Sequence, residues 1–166
     1  MKDAPTPRSS ESVLADLMMP HHANGLKRPS VFGGIIMSMV DRASALAAMR
    51  HCHGQVTTLS IDRILFKEPI RVGELVEIRA RVVFVGRTSM TVLAHVYAEH
   101  IASGTRRHTN ECWLTFVHLN DEGKPTPVPS LVLETDEDRQ LNGIAARRRQ
   151  QALAEAIDRN TATTLP

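Results

Sequence analysis

Two glycines and an aspartate, all on one long apolar stretch, are the residues whose types and spacing best suit a catalytic site. Gly33 and Gly34 begin the stretch and Asp41 lies further in. The N–H groups at a helix start lack intrahelical partners, and the helix dipole adds partial positive charge there, so this end favours an oxyanion. A carboxylate on a largely apolar helix is costly unless it is paired or faces a cleft. This combination indicates acyl chemistry more than simple packing.

The stretch that carries these residues is predicted to be a buried helix over residues 33–51. Few polar residues interrupt the apolar run between Ile35 and Met49. A helix that is apolar nearly all round packs inside a fold. The run is shorter than the roughly 20 residues that a membrane span needs. Gly54 stands where a glycine commonly ends a helix, so we expect it to be the capping residue.

The other elements are predicted to be strands, because hydrophobic and polar residues alternate with a period of two. The expected strands cover residues 12–19, 56–66, 75–85, 90–98 and 106–118. Within the second strand the apolar residues change parity, which predicts a bulge near Asp62-Arg63. In the third strand Val82 and Phe84 are expected on the same face. A strand, a long buried helix and four antiparallel strands fit a sheet that curls around one helix.

Three segments divide the chain. Residues 1–10 are rich in Pro and Ser and are expected to be disordered, and residues 11–130 form the folded domain. Residues 131–166 comprise a linker and a final helix. Thr135 and Asp138 are expected to form a capping box at the start of that helix. The apolar positions of that helix form only a thin stripe, so we expect it to lie on the surface.

Composition excludes several classes of protein. The chain has 166 residues, of which 42% are hydrophobic and 23% charged, as in one globular domain with a core. A net charge of +2 gives no case for a nucleic-acid partner.

The two cysteines show neither metal-site nor disulfide spacing, and no apolar leader is visible, so we expect a cytoplasmic protein. His51 and His53 lack the partners of a metal site, and we predict none.

Several motifs occur in a fixed order and together resemble a known family. They are Pro20-x-x-x-Asn24, Phe32-Gly33-Gly34, Asp41, Phe66-x-x-Pro69-Ile70-x-Val72-Gly73, Val85-Gly86-Arg87-Thr88-Ser89-Met90 and Gly123-Lys124-Pro125. Residues 12–130 thereby resemble the hotdog-fold acyl-CoA thioesterases of the cytosolic kind. The resemblance implies an α+β hotdog fold, with a curved antiparallel sheet around a central helix and a C-terminal helix. This chain departs from the family pattern between Asn24 and Phe32, where it is about two residues longer, and at Ala23, where threonine is usual.

The resemblance also implies roles for individual residues. Asp41 would activate water or act as nucleophile, the Gly33-Gly34 backbone would bind the thioester oxygen, and Asn24 would position water or the carbonyl. The residues implied in CoA binding are Thr58, Gly86, Arg87, Thr88, Ser89, Arg147, Arg148 and Arg149. Each also has a plainer interpretation: an ion pair for the aspartate, tight packing for the glycines, a turn or strand position, or a solvated basic face for the arginines.

The implied reaction is hydrolysis of fatty acyl-CoA to CoA and a free fatty acid, with no cofactor besides the CoA of the substrate. In this family sites form between paired subunits, so we expect at least a homodimer, and a hexamer built as a trimer of dimers is compatible. Two alternatives stay open. One is a hotdog dehydratase of hydroxyacyl thioesters, which would need a histidine such as His21 or His22 near the acid. The other is a non-catalytic acyl-CoA-binding or sensing protein.

Overall fold

The structure is a computed structural model, and it describes residues 4–27, 29–62, 64 and 66–162. Arg63, half of the predicted bulge, lies outside the described residues. In chain order the elements are β1 (Ser12–Leu17), α1 (Gly33–Cys52), β2 (Gln55–Ile61), β3 (Leu75–Val85), β4 (Ser89–His100), β5 (Thr105–Leu119) and α2 (Asp136–Ala162). Short 3-10 helices precede β1, at Arg8–Ser10, and follow it, at Pro20–His22.

One antiparallel sheet carries the fold, with the strand order β1-β3-β4-β5-β2. The predicted curled sheet with a central helix and a C-terminal helix is confirmed. The inner face of β3 and β4 presents alternate small and branched side chains, and α1 packs against it with the apolar residues Ile36, Met39, Val40, Ala43 and Ala47. These contacts hold one face of the central helix against the sheet.

One face of α1 is not covered by the sheet, which differs from the expectation of a helix buried all round. Met37, Leu46 and Met49 are 40%, 40% and 45% exposed. A five-stranded sheet covers only one side of a helix, whereas the apolar stripe of α1 extends around the other side. The sequence pattern alone does not distinguish a side chain that packs in the core from one that is exposed to another surface.

The end of α1 corrects one prediction. His53, not Gly54, is the left-handed capping residue, with φ of 53°, and its N–H donates to the Met49 carbonyl at 2.8 Å. Gly54 serves a different purpose, because a Cβ at that position would lie 2.5 Å from His118 Nε2. The glycine therefore allows β5 to approach closely.

Two irregularities of the sheet also differ from the predictions. β2 ends at Ile61, not at residue 66, and its register shift against β5 lies between Thr58 and Ser60, not near Asp62. A second shift, between Val82 and Phe84 in β3, turns Phe84 away from the inner face that Val82 occupies. Both bulges depend on how neighbouring strands pair, which the alternation within one strand does not report.

The C-terminal helix packs on the outer face of the sheet. Its predicted capping box is confirmed: the Thr135 N–H donates to Asp138 Oδ2 at 3.0 Å, and the Asp138 N–H to Thr135 Oγ1 at 3.1 Å. Ala145 from this helix packs with Val83, Leu93 and Trp113 of the sheet in a second, smaller core. Within the described ranges, no helix is long and apolar enough to cross a membrane.

Part of the N-terminal segment contacts the domain. Ser10 is buried, and its Oγ accepts a hydrogen bond from the Val82 N–H at 3.0 Å. The Val132 N–H donates to the Pro5 carbonyl at 3.0 Å, which joins this segment to the stretch before α2.

Candidate active site

A cavity of about 360 Å³ opens at the start of α1. Gly33 and Ile36 contribute one side of it, Asn24 and Val31 a second, and the loop that follows β2 a third. From that loop the residues that line the cavity are Phe66, Glu68, Pro69 and Ile70. The cavity therefore contains two of the predicted site residues, Asn24 and Gly33, together with the helix N-terminus.

The helix start is free to bind an acceptor. Among the backbone hydrogen bonds of the described residues, none is donated by Gly33 or Gly34, whereas the next N–H, of Ile35, donates to the Phe32 carbonyl at 2.9 Å. Aromatic rings explain why glycines stand here: a Cβ on Gly33 would lie 3.2 Å from Phe66 Cζ, and one on Gly34 would lie 2.4 Å from Phe32 Cε1. The start of α1 thus combines two unpaired backbone donors with the positive end of the helix dipole, and Gly33 lines the partly apolar cavity.

Asn24 closes its own loop. Its Nδ2 donates to Ser30 Oγ at 2.6 Å, and its Oδ1 accepts from the Leu26 N–H at 3.1 Å. The Asn24 N–H also donates to the Ser30 carbonyl at 2.9 Å. The longer loop is therefore folded back on Asn24, which keeps the half-buried side chain at the cavity.

Asp41 is held on the uncovered face of α1. Thr58 Oγ1, from edge strand β2, donates to Asp41 Oδ1 at 2.8 Å. The second carboxylate oxygen has no hydrogen bond with any described residue of this chain. Thr58, predicted as a CoA-binding residue, thus meets the predicted acid directly, and a hydroxyl that fixes a carboxylate rotamer is typical of a positioned acid or base.

One protomer does not bring the acid to the oxyanion donors. Asp41 does not line the cavity that contains Gly33. At a rise of 1.5 Å per residue, the two positions are about 12 Å apart along the axis of α1. A single thioester carbonyl therefore cannot contact both groups of the same helix.

The predicted CoA-binding segments approach each other on the other side of the sheet. A Cβ placed on Gly86 would lie 3.3 Å from the guanidinium carbon of Arg149, so this arginine of α2 packs against the β3–β4 turn. At the start of β4, next to this turn, Ser89 Oγ is buried and has no hydrogen-bond partner within the described part of the chain. Arg87 and Thr88 fix the turn through their carbonyls, which accept from the Val128 and His118 N–H groups.

The three arginines of α2 have different surroundings. The Arg148 guanidinium lies 4.8 Å from the ring centroid of Trp113, in a cation–π contact. Arg148 and Arg149 line a second cavity, of about 310 Å³, between α2 and strands β2, β4 and β5. Arg147 is exposed and points elsewhere, with its Nη1 near Gly143 of the same helix.

Sequence reasoning missed how the loop after β2 shapes the first cavity. Pro69 and Ile70 belong to a motif that carries the family resemblance, but they were not predicted as site residues. The presence of that motif was the feature of the sequence that could have identified them. The histidines in front of α1 are not part of the cavity wall. His22 Nδ1 accepts from the Met19 N–H at 3.2 Å and so stabilises its own 3-10 turn.

Residues 29–105 match the family model of the thioesterase superfamily, and known proteins are similar in sequence to this chain. An uncharacterized acyl-CoA thioester hydrolase of Bacillus subtilis is 37% identical over 137 residues, which are 77% of this chain and 80% of the relative. The cytosolic acyl coenzyme A thioester hydrolase of Rattus norvegicus is 35% identical over 111 residues. That match covers 66% of this chain but only 29% of the rat protein.

Solved structures are similar over nearly the whole chain. An acyl-CoA hydrolase from Bacillus cereus has a TM-score of 0.87 and 31% identity, and the match covers 99% of each chain. A hexameric acyl-CoA thioesterase has a TM-score of 0.85 and 34% identity, over 91% of this chain and 96% of the other. An acyl-CoA hydrolase from Staphylococcus aureus, solved with butyryl coenzyme A and coenzyme A, has a TM-score of 0.85 and 28% identity over 95% of each chain.

Proposed function

This chain belongs to the thioesterase superfamily of hotdog acyl-CoA thioester hydrolases, and on that premise we propose that it hydrolyses fatty acyl-CoA with Asp41 as its acid–base or nucleophilic group. The recognition made from the sequence motifs is confirmed, as is the expectation of an enzyme. The reaction converts acyl-CoA and water to CoA and a free fatty acid. The individual roles of the site residues are our proposal.

The observation that carries the proposal is the hydrogen bond between Thr58 and Asp41. The Asp41 carboxylate lies on a partly uncovered apolar face, and one hydroxyl fixes one of its two oxygens. The other oxygen can accept a proton from water or attack a carbonyl. Structures of the Staphylococcus aureus hydrolase include single alanine variants of an asparagine, a threonine and an aspartate. The same three residue types occur here as Asn24, Thr58 and Asp41, and the threonine follows the aspartate by 17 positions in both chains.

The oxyanion site is the free N-terminus of α1. The Gly33 and Gly34 N–H groups would donate to the thioester oxygen as negative charge develops on it, and Asn24 would help to position the carbonyl or the water. The partly apolar wall provided by Phe66 and Ile70 would lower the local dielectric and strengthen these hydrogen bonds.

The complete site would need a second copy of the chain. Asp41 lies too far along α1 to serve the helix start of its own protomer, so the acid would come from a partner. Two surfaces are suited to such a partner. Among the described residues, edge strand β2 has no neighbouring strand on one side, and its Leu59 is 65% exposed. Helix α1 exposes Leu46 and Met49. We therefore propose a homodimer, and the hexameric relatives make a trimer of dimers the natural larger assembly.

We further propose that the protein works in the cytoplasm, in fatty acid metabolism. Cys52 and Cys112 are both free and buried, as expected in a reducing compartment. The rat relative is named a cytosolic enzyme, which supports the same location.

A thiol-release assay with acyl-CoA substrates of rising chain length tests this function. We expect wild-type protein to release one CoA thiol per free acid formed, with no added metal or cofactor. The two alternatives give other results. A hydroxyacyl-thioester dehydratase would form an unsaturated thioester without releasing thiol, and a sensing protein would bind acyl-CoA and leave it intact.

Arg149 is predicted to bind the nucleotide phosphates of CoA. Changing Arg149 to Ala should raise the KM for acyl-CoA about three- to tenfold and leave kcat nearly unchanged, because contacts far from the thioester stabilise substrate and transition state alike. Steady-state kinetics at low and high salt would check this result, since the effect should shrink as exposed charges are screened.

Arg147→Ala is the matched control for that variant, because Arg147 is exposed on the same helix and points away from Gly86. Its KM should stay within about twofold of wild type. An acyl-pantetheine substrate lacks the nucleotide phosphates and should not distinguish wild type from Arg149→Ala. Equal losses with both substrates would mean that Arg149 acts through folding or assembly.

A further inference from the structure

An arginine at the end of the sheet holds the loop that forms one wall of the first cavity. Arg107 lies near the start of β5 opposite Ala98 of β4, whose side chain is part of the core. Arginine is rarely found on the core side of a sheet unless its charge is paired. The Arg107 side chain is 25% exposed, and the carboxylate beside it, Glu74, is 4% exposed.

The Arg107 guanidinium has three partners on residues 68–74. Its Nη1 and Nη2 donate to the two oxygens of Glu74 at 2.7 and 2.8 Å, in a bidentate pair. Nη2 also donates to the Pro69 carbonyl at 3.0 Å, and Nε lies 2.9 Å from Glu68 Oε2. A planar guanidinium can satisfy all these acceptors at once, whereas an ammonium cannot.

Glu74 fastens the same loop from its other side. Its Oε2 accepts from the Arg71 N–H at 2.8 Å. The Arg107 guanidinium, by hydrogen bond and charge, holds the pKa of Glu74 below its usual value in spite of the burial that opposes it. Without Arg107, the buried carboxylate would lose its hydrogen-bonded counter-charge, and the charge of Arg71 would act on it without a side-chain hydrogen bond.

This loop is joined to the start of α1. Pro69 and Ile70 line the cavity, and the Ile70 carbonyl accepts from the Val31 N–H at 2.7 Å. Val31 comes two residues before Gly33 and is itself buried. The contacts therefore run without a break from Arg107 through the loop to the residues that precede the oxyanion donors.

We propose that Arg107 is a positioning residue for thioester hydrolysis, because it fixes the loop wall of the cavity and, through the Ile70–Val31 hydrogen bond, the N-terminus of α1. This inference rests on the proposed function. Arg107 does not contact the reacting atoms. It acts on the geometry of the Gly33 and Gly34 donors, and a displacement of about 1 Å in such a site costs up to roughly 10²-fold in rate.

The test compares Arg107→Met with Arg106→Met. Arg106 is the adjacent residue and also pairs with a glutamate, Glu77, at 2.6 Å, but it lies under the ring of Tyr97 on the outer face of the sheet. Arg106→Met loses the pair with Glu77, whereas Arg107→Met loses the pairs with Glu68 and Glu74. Of the two variants, only Arg107→Met releases the cavity loop. Kinetics should be measured at a temperature where circular dichroism shows both variants folded.

We expect Arg107→Met to lower kcat by about 10- to 100-fold with KM changed less than about threefold, and Arg106→Met to stay within about twofold of wild type. Amide hydrogen exchange at Val31 should become faster only in Arg107→Met, which reports on the loop without any turnover. Arg107→Lys keeps the charge beside Glu74 but cannot also reach Pro69, so it should recover the melting temperature more fully than kcat.

Three results would overturn the inference: wild-type kcat in folded Arg107→Met, unchanged exchange at Val31, or equal losses in the two methionine variants. If Arg107→Met does not fold, Arg107→Lys decides, and wild-type kcat with wild-type exchange in that variant contradicts a positioning role. A wild-type protein that releases no thiol contradicts the proposed function, and the exchange at Val31 then still decides whether Arg107 holds the loop.

Discussion

Changing Asp41 to Asn should lower kcat for acyl-CoA hydrolysis by about 10²- to 10⁴-fold, the range typical of a positioned acid, base or nucleophile. Asparagine keeps the shape of aspartate, and its amide oxygen can still accept a hydrogen bond from the Thr58 hydroxyl. The variant should therefore fold and assemble like wild type. It cannot accept a proton or form an anhydride with the acyl group. Thiol release under saturating substrate measures the change.

Two further variants make this result specific. Asp16→Asn removes an exposed carboxylate from edge strand β1 and should retain full activity. Thr58→Val removes the hydroxyl that fixes Asp41 but leaves the carboxylate, so we expect a smaller loss of about tenfold. An Asp41→Asn protein that hydrolyses acyl-CoA at the wild-type rate would show that Asp41 is structural.

The sequence was sufficient for the elements whose pattern is local. The long apolar run predicted α1 to within a residue at each end, and strict alternation predicted β3 with the bounds that are observed, Leu75–Val85. The Thr135–Asp138 capping box fixed the start of α2 for the same reason. In each case the residues that determine the element are neighbours in the chain.

Features that depend on distant residues could not be predicted in this way. The bulge at Thr58–Ser60 arises from pairing with β5, and Gly54 is required by His118, far along the chain. Without the fold, Gly54 looked like a helix cap, while His53 has that conformation. The adjacency of β1 and β3 likewise follows from the whole sheet, since the two strands are separated by α1 and β2.

The candidate site shows the same division. The types of Asp41 and Gly33 were sufficient to propose chemistry, because carboxylates and free helix N–H groups have few other uses on an apolar helix. The partner of the acid was not evident, since Thr58 is an ordinary strand residue until α1 packs beside β2. Arg107 was missed because its core-side position appears only when β4 and β5 are paired.

A charge placed on the uncovered face of α1 should prevent the proposed dimer from forming. Leu46 is 40% exposed in one protomer, and in the proposed dimer it would be buried against a partner. A glutamate at that position keeps the helix propensity high but would place a charge in an apolar interface. Leu46→Glu should therefore be monomeric at micromolar concentration, where wild type is a dimer or a multiple of it, as light scattering or sedimentation would show.

Loss of the dimer should also remove activity, although Leu46 itself contacts no reacting group in the proposed site. Since Asp41 and the Gly33 donors would come from different copies, a monomer holds two half-sites, and kcat/KM should fall by at least about 10²-fold. Ile101→Glu is the matched control, because Ile101 is 55% exposed at the turn between β4 and β5, and this variant should stay assembled and active. A monomeric Leu46→Glu protein with wild-type kcat/KM would show that one chain contains a complete site, and it would exclude an acid supplied by the partner.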